Sequence, residues 1–148
     1  MQKISVINGP NLNMLGKREP EIYGSETLAD IEQLCQTEAK KMGLSVDCWQ
    51  SNDEGAIVTK IQKNLDDGTK GVIINAAAYT HTSVAIADAL SMLDIPVLEV
   101  HLSNIYQRES FRHHSYISRV ANGIICGYGA NGYVLALHAV KNLLEQRS

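Results

Sequence analysis

Two residues with complementary chemistry, Glu99 and His101, lie two apart in the apolar run PVLEVHL at residues 96–102. In a β-strand, residues two apart point to the same side, so this carboxylate and this imidazole would be neighbours. A carboxylate fixes the orientation of an adjacent imidazole and favours its protonated form, which suits a general acid near neutral pH. A lone His101 would more often be a hydrogen-bonded core residue, so the interpretation rests on the pair.

A second candidate pair, Arg18 and Tyr23, lies in GKREPEIYGS at residues 16–25, a stretch without the pattern of regular structure. The pKa of a free tyrosine is about 10, and a cation within about 4–6 Å lowers such a pKa by roughly 1–3 units. Arg18 would supply that cation and make Tyr23 a usable base, and Gly16 and Gly24 would let the segment close as a lid. A solvated loop is the alternative for this stretch.

Further polar residues follow the apolar runs of the chain, where strands would end. They include Asn11, Asn75, His81, Ser103, Arg108 and Arg112. An asparagine alone is more typical of a turn or a helix cap, but a cluster of buried polar groups costs desolvation energy and is typical of a functional site. The loop arginines indicate a small anionic ligand, since a guanidinium group matches carboxylate and phosphate oxygens.

Short apolar runs alternate with helical patterns, and these elements must position the polar residues. We predict strands at residues 3–8, 44–50, 71–75, 96–102 and 123–127, and helices after residue 25, from about residue 54, at 82–93 and at 131–146. This order predicts one α/β domain over residues 1–148, a flavodoxin-like, doubly wound, five-stranded parallel sheet with helices on both faces. Ligands of such sheets bind beyond the carboxyl ends of the strands, at the switch point between strands 1 and 3.

The composition narrows the classes of partner. A formal charge of −3 argues against nucleic acid, because proteins that bind it usually concentrate cations on one face. No apolar run is long enough to span a membrane, and the amino terminus lacks the apolar core of a signal peptide. Cys35, Cys48 and Cys126 have neither the spacing of a disulfide framework nor that of a zinc site, so we expect free thiols in a cytoplasmic protein.

A metal site is the rival interpretation for His81 and His101, and the adjacent His113 and His114 add two more imidazoles. Adjacent histidines diverge on any regular backbone, and no second carboxylate lies at ligand spacing. The sequence therefore favours a site without metal.

A phosphate- or nucleotide-binding module on the same fold is the alternative from another class of function. The stretch GPNLNMLGK resembles a phosphate-binding loop. However, Gly9 and Gly16 are separated by six residues instead of four, and Arg18 follows Lys17 where serine or threonine belongs.

Three long motifs together resemble the type II 3-dehydroquinate dehydratase family: NGPNLNMLGKREPEIYG at 8–24, INAAAYTHTS at 74–83 and EVHLSNIYQRESFRHHS at 99–115. The resemblance covers almost the whole chain in order and spacing. It implies reversible loss of water from 3-dehydroquinate to give 3-dehydroshikimate, in the shikimate route to aromatic compounds, without metal or organic cofactor.

The resemblance also implies a role for individual residues. Tyr23 would be the base that removes a C2 proton, with Arg18 lowering its pKa, and Asn11 would hold a water that stabilises the enolate. His101, paired with Glu99, would protonate the departing C1 hydroxyl. Substrate contacts would come from Asn75, His81, the backbone around Leu102 and Ser103, and Arg112.

The same resemblance implies an assembly of trimers into a dodecamer, with Asp88 reaching the site of a neighbouring subunit. The predicted helix SVAIADALSML is apolar nearly all round and carries this one acid. Such a helix is buried or lies at an interface, where a lone acid needs a partner. Ordinary core packing with Asp88 at the wet edge is the alternative.

Overall fold

A parallel sheet of five strands forms the centre of the computed structural model, which describes residues 1–17, 21 and 25–147. The strands are β1 (Gln2–Asn8), β2 (Leu44–Gln50), β3 (Gly71–Asn75), β4 (Val97–His101) and β5 (Gly123–Cys126). Their order across the sheet is β2-β1-β3-β4-β5, and every neighbouring pair is parallel. This order confirms the predicted flavodoxin-like, doubly wound α/β fold.

Helices cover both faces of the sheet: α1 (Leu28–Lys41), α2 (Glu54–Lys63), α3 (Val84–Ser91) and α4 (Asn131–Arg147). One hydrophobic cluster joins α1 and α4 to the first face, through residues such as Ile31 and Leu137. A second cluster joins α2 and α3 to the other face, through Ile57 and Ile86. Burial on both faces explains why the strands are apolar with little alternation. Within the described residues, no helix combines the length and apolar character that crossing a membrane requires.

Side-chain caps set where the helices begin. Thr27 Oγ1 accepts the Asp30 N–H at 3.2 Å, while the Asp30 carboxylate accepts the Thr27 N–H at 3.0 Å, which forms a capping box for α1. Ser83 caps α3 by accepting a hydrogen bond from a backbone N–H three residues on. Helix α3 is shorter than the predicted 82–93, because Ser83 caps its amino end and Met92 is its carboxyl-terminal cap.

Strands β1 and β3 meet at the switch point, and their carboxyl ends approach each other closely. Asn8 lies opposite Asn75 in the register, and the Gly9 N–H donates to the Asn75 carbonyl oxygen at 2.8 Å. A Cβ atom at Gly9 would lie 2.5 Å from the carbonyl oxygen of Ala76, well inside van der Waals contact. Only glycine permits this approach of one backbone to the other.

We therefore expect Gly9→Ala to lower the free energy of unfolding by about 1–3 kcal/mol, because the added methyl group must push the two strand ends apart. Gly55→Ala in α2 is the matched control, since its Cβ would meet no atom closer than 3.9 Å. Alanine there should leave the free energy of unfolding unchanged or raise it by about 0.5–1 kcal/mol. Denaturant unfolding of both variants checks this, and equal stabilities would show that the strand ends are not in tight contact.

Candidate active site

A cavity of about 680 Å³, counted to its open mouth, lies at the carboxyl edge of the sheet beside the switch point. Polar and charged lining comes from Asn11, Asn75, His81, His101, Ser103, Arg108 and Arg112, and apolar lining from residues that include Leu12, Leu15, Leu102 and Ile105. The loops after β1, β3 and β4 therefore supply its walls, as predicted for this fold.

Glu99 lies behind the cavity wall with only 1% of its surface exposed, and three side chains donate hydrogen bonds to its carboxylate. Its Oε2 accepts from His101 Nε2 at 2.5 Å and from the Ser115 hydroxyl at 2.8 Å. Its Oε1 accepts from the Ser118 hydroxyl at 2.5 Å. This set of donors satisfies a carboxylate that water cannot reach.

These donors determine the charge of Glu99. Burial by itself disfavours the ionised form, but the hydrogen bond and charge of His101, followed by the hydroxyls of Ser118 and Ser115, together hold the pKa of Glu99 below its ordinary value. Glu99 is therefore an ionised acceptor near neutral pH, and the ring nitrogen that faces it must carry a proton.

The two histidines of the cavity are held in defined tautomers. His101 uses Nε2–H to reach Glu99, so Nδ1 is the ring nitrogen not engaged by that carboxylate. His81 donates from Nδ1 to the backbone carbonyl of His114 at 2.8 Å. Burial, together with the nearby positive charges of His101 and Arg112, lowers the pKa of His81 despite that hydrogen bond, so His81 is neutral near pH 7. The two rings lie nearly parallel, with centroids 6.4 Å apart.

Arg108 and Arg112 bring positive charge to the cavity, and both side chains are largely buried, at 14% and 19% exposure. Glu109 accepts from Arg112 Nε at 3.2 Å and lies 3.8 Å from Arg108 Nε. The ring of Phe111 lies 5.0 Å from the Arg112 guanidinium carbon. These contacts limit how far the guanidinium group of Arg112 can move, and the charge suits a carboxylate-bearing ligand.

The structure brings most of the predicted site residues together. Asn11, Asn75, His81, His101, Leu102, Ser103 and Arg112 all line the cavity, with Glu99 directly behind His101. Asn11 adopts a left-handed backbone with φ of 69°, and its N–H donates to Asn52 Oδ1 at 2.9 Å. The Leu102 carbonyl accepts the Gly129 N–H at 2.9 Å.

Three predicted residues are not placed in this cavity by the described chain. Asp88 is exposed on α3 and does not line it. Arg18 and Tyr23 lie outside the described residues, so their expected pairing stays a prediction. Among the residues that are described, no three His, Cys, Asp or Glu side chains converge as metal ligands.

Sequence reasoning missed the residues that support the site from behind. Ser115 and Ser118 hold Glu99, and the buried Tyr133 hydroxyl accepts a hydrogen bond from Asn75 Nδ2 at 3.1 Å. The two serines lie in HHSYIS, where a spacing of three places both hydroxyls on one side of a turn. A buried glutamate on a predicted inner strand requires such donors, and this requirement is the signal that could have found them.

A family model, proteins of similar sequence and solved structures all point to the same family. The family model described as Dehydroquinase class II matches residues 2–141. A protein of Bordetella avium named 3-dehydroquinate dehydratase is 58% identical over 142 residues, which cover 95% of this chain and 99% of that protein. One of the same name from Sinorhizobium medicae is 54% identical over 97% of this chain and 96% of its own. The crystal structure of type II dehydroquinase from Butyrivibrio crossotus superposes with a TM-score of 0.92 at 48% identity, over 94% of this chain and 97% of that one.

The hydrogen bonds to Glu99 predict how its pKa responds to mutation. Ser118→Ala removes one donor from the ionised form, so we expect the pKa of Glu99 to rise and the free energy of unfolding near neutral pH to fall by about 1.5–3 kcal/mol. Ionisation of Glu99 stabilises the fold above its ordinary pKa of 4.5, and this contribution is lost as the pH falls through the lower folded-state value. The carbon-13 resonance of the Glu99 carboxyl group, followed by NMR against pH, measures the shift.

Ser91→Ala is the matched control, because the Ser91 hydroxyl donates to the carbonyl of Asp88 within α3 and is remote from Glu99. The Glu99 titration should be the same in this variant as in the parent protein. An unchanged Glu99 titration in Ser118→Ala would contradict the role given to the serine hydroxyl.

Proposed function

The chain belongs to the class II dehydroquinase family and catalyses the dehydration of 3-dehydroquinate to 3-dehydroshikimate, and we propose that the cavity at the switch point is where this reaction occurs. The observation that carries the proposal is the buried pair of Glu99 and His101, which places an oriented imidazole in the wall of a cavity bounded by guanidinium and amide groups. Elimination of water needs an acid for the leaving hydroxyl, and this pair is suited to supply it.

His101 is the general acid in this proposal. With Nε2–H bound to ionised Glu99, the protonated ring carries its second proton on Nδ1. That proton passes to the C1 hydroxyl as the C1–O bond breaks, so the leaving group departs as water. The negative charge of Glu99 stabilises the imidazolium before the transfer and keeps the ring in one orientation.

Tyr23 is the general base, and this assignment rests on the family. Its phenolate removes the proton from C2, the C2–H electron pair forms an enolate with the C3 carbonyl, and collapse of the enolate expels the C1 hydroxyl in an anti elimination. Arg18 lowers the pKa of Tyr23, and Asn11 holds a water that stabilises the enolate oxygen. The position of Asn11 in the cavity wall supports its part of this assignment.

The other lining residues bind the substrate. Arg112 offers a restrained guanidinium group to the substrate carboxylate. Asn75, His81 and the backbone around Leu102 and Ser103 offer hydrogen bonds to the ring hydroxyls, and all of them border the cavity. Neutral His81, which donates from Nδ1 to a backbone carbonyl, has Nε2 left as an acceptor for a substrate hydroxyl.

The assembly is part of the same proposal. Trimers joined into a dodecamer would let Asp88, exposed on α3, reach the cavity of a neighbouring subunit. Asp88 does not line the cavity of its own chain, so a role in the site requires a second copy. We also propose that the whole chain acts as one catalytic domain and works in the cytoplasm, with no metal or cofactor.

Purified protein mixed with 3-dehydroquinate in the presence of a chelator should produce the ultraviolet absorbance of the conjugated enone product. His101→Ala should lower kcat by about 10²–10⁴, because the leaving hydroxyl loses its proton donor. Tyr23→Phe should abolish turnover, because phenylalanine cannot take the C2 proton. His138→Ala, an exposed histidine on α4, is the control and should keep the parent rate.

Three results would each contradict a different part of the proposal. A loss of less than tenfold in His101→Ala would remove His101 as the acid, and near-normal turnover in Tyr23→Phe would remove Tyr23 as the base. Dependence of the parent rate on a chelatable metal would contradict the cofactor-free reaction.

A further inference from the structure

Three buried side chains, Asn75, Tyr133 and Asn8, form a hydrogen-bonded network beneath the cavity wall. Asn8 and Asn75 end the neighbouring strands β1 and β3 and face each other in the register. Tyr133 comes from the first turn of α4, on the helical layer below. Asn8 and Tyr133 have no exposed surface, and Asn75 is 3% exposed. Three separate elements contribute to the network, and the buried Asn8 Nδ2 has no hydrogen-bond partner among the described residues.

A backbone donor fixes which way the Asn75 amide points. The backbone N–H of Ala77 can only donate, so the Asn75 atom that it meets at 3.1 Å is Oδ1. Asn75 Nδ2 then donates one hydrogen to Tyr133 Oη at 3.1 Å. The Tyr133 hydroxyl donates its own proton to Asn8 Oδ1 at 2.5 Å. Both ends of the Asn75 amide are held, and one of its two N–H groups is left over.

The remaining N–H limits what a ligand can present at this point. Asn75 lines the cavity, while its oxygen is committed to Ala77 and one hydrogen to Tyr133. A ligand group that meets this remaining N–H must accept a hydrogen bond, as a hydroxyl, carbonyl or carboxylate oxygen does. A reversed amide would face the Ala77 N–H with another donor and leave both unpaired.

We propose that Tyr133 is a positioning residue that, with Asn8, holds the Asn75 amide so that it binds the substrate as a hydrogen-bond donor. This inference rests on the proposed function, in which Asn75 contacts 3-dehydroquinate. The torsion that turns an asparagine amide has a broad profile, so the single hydrogen bond from Ala77 leaves the planar group free to rock, and a second hydrogen bond is needed to hold it. The Ala77 turn already has φ of 52°, a left-handed conformation that alanine seldom adopts, and depends on the Asn75 oxygen itself. The nitrogen end is fixed by the Tyr133 hydroxyl.

Tyr133→Phe tests this role, because it removes the hydroxyl and leaves the ring that fills the core. We expect KM for 3-dehydroquinate to rise about three- to tenfold, with kcat within about twofold of the parent, as for loss of a binding contact. In an Asn75→Ala background the same change should raise KM no further, because there is no amide left to position. A purely structural role for Tyr133 would change KM equally in both backgrounds.

Asn64→Ala is the control for lost stability, since the buried Asn64 side chain bonds Thr69 Oγ1 at 3.2 Å near the opposite edge of the sheet. It should leave KM unchanged. Should Tyr133→Phe not fold, Asn8→Ala removes the acceptor of the Tyr133 hydroxyl and is expected to raise KM in the same way. Unchanged KM in whichever variant folds, with normal turnover by the parent protein, overturns this inference alone. Absence of turnover by the parent protein overturns the proposed function instead.

Discussion

A carboxylate with 1% of its surface exposed stays ionised only where donors replace the water it has lost, and this constraint on Glu99 organises the whole site. One donor, His101, comes from the same strand, and two, Ser115 and Ser118, come from the chain that follows the cavity loops. The carboxylate thus fixes the imidazole and also ties the segment that carries Arg112 to the sheet. The ionised state of Glu99 and the orientation of His101 therefore depend on the same set of hydrogen bonds.

The parallel sheet makes this arrangement possible because its strands all end at one edge. Asn8, Asn75 and His101 end three neighbouring strands, and the loops that follow them meet around one cavity. The close approach of Gly9 to β3 holds the first two of these strand ends together. Asn75 and His101 therefore extend from strand ends and have buried side chains behind them, which is what preorganised catalysis requires.

Local sequence patterns predicted much of the fold and part of the site. Apolar runs located all five strands to within one or two residues, and the spacing of two between Glu99 and His101 predicted their contact. The rest depends on contacts between distant parts of the chain. Tyr133 lies 58 residues from Asn75 and 125 from Asn8, and nothing in the helical pattern of α4 distinguishes it from a core tyrosine. The 3-10 turn Ala77–His81, which brings His81 to the cavity, was likewise absent from the predicted elements.

The account depends most on the state of the Glu99 and His101 pair, and nitrogen-15 NMR of the His101 ring in the unliganded protein measures it directly. Ionised Glu99 requires that the neutral ring carry its proton on Nε2, leaving Nδ1 unprotonated until the ring becomes the acid. Spectra in which the neutral ring is the Nε2–H tautomer agree with the account. A neutral ring protonated on Nδ1 would contradict it, because Glu99 would then face a nitrogen with no hydrogen to give.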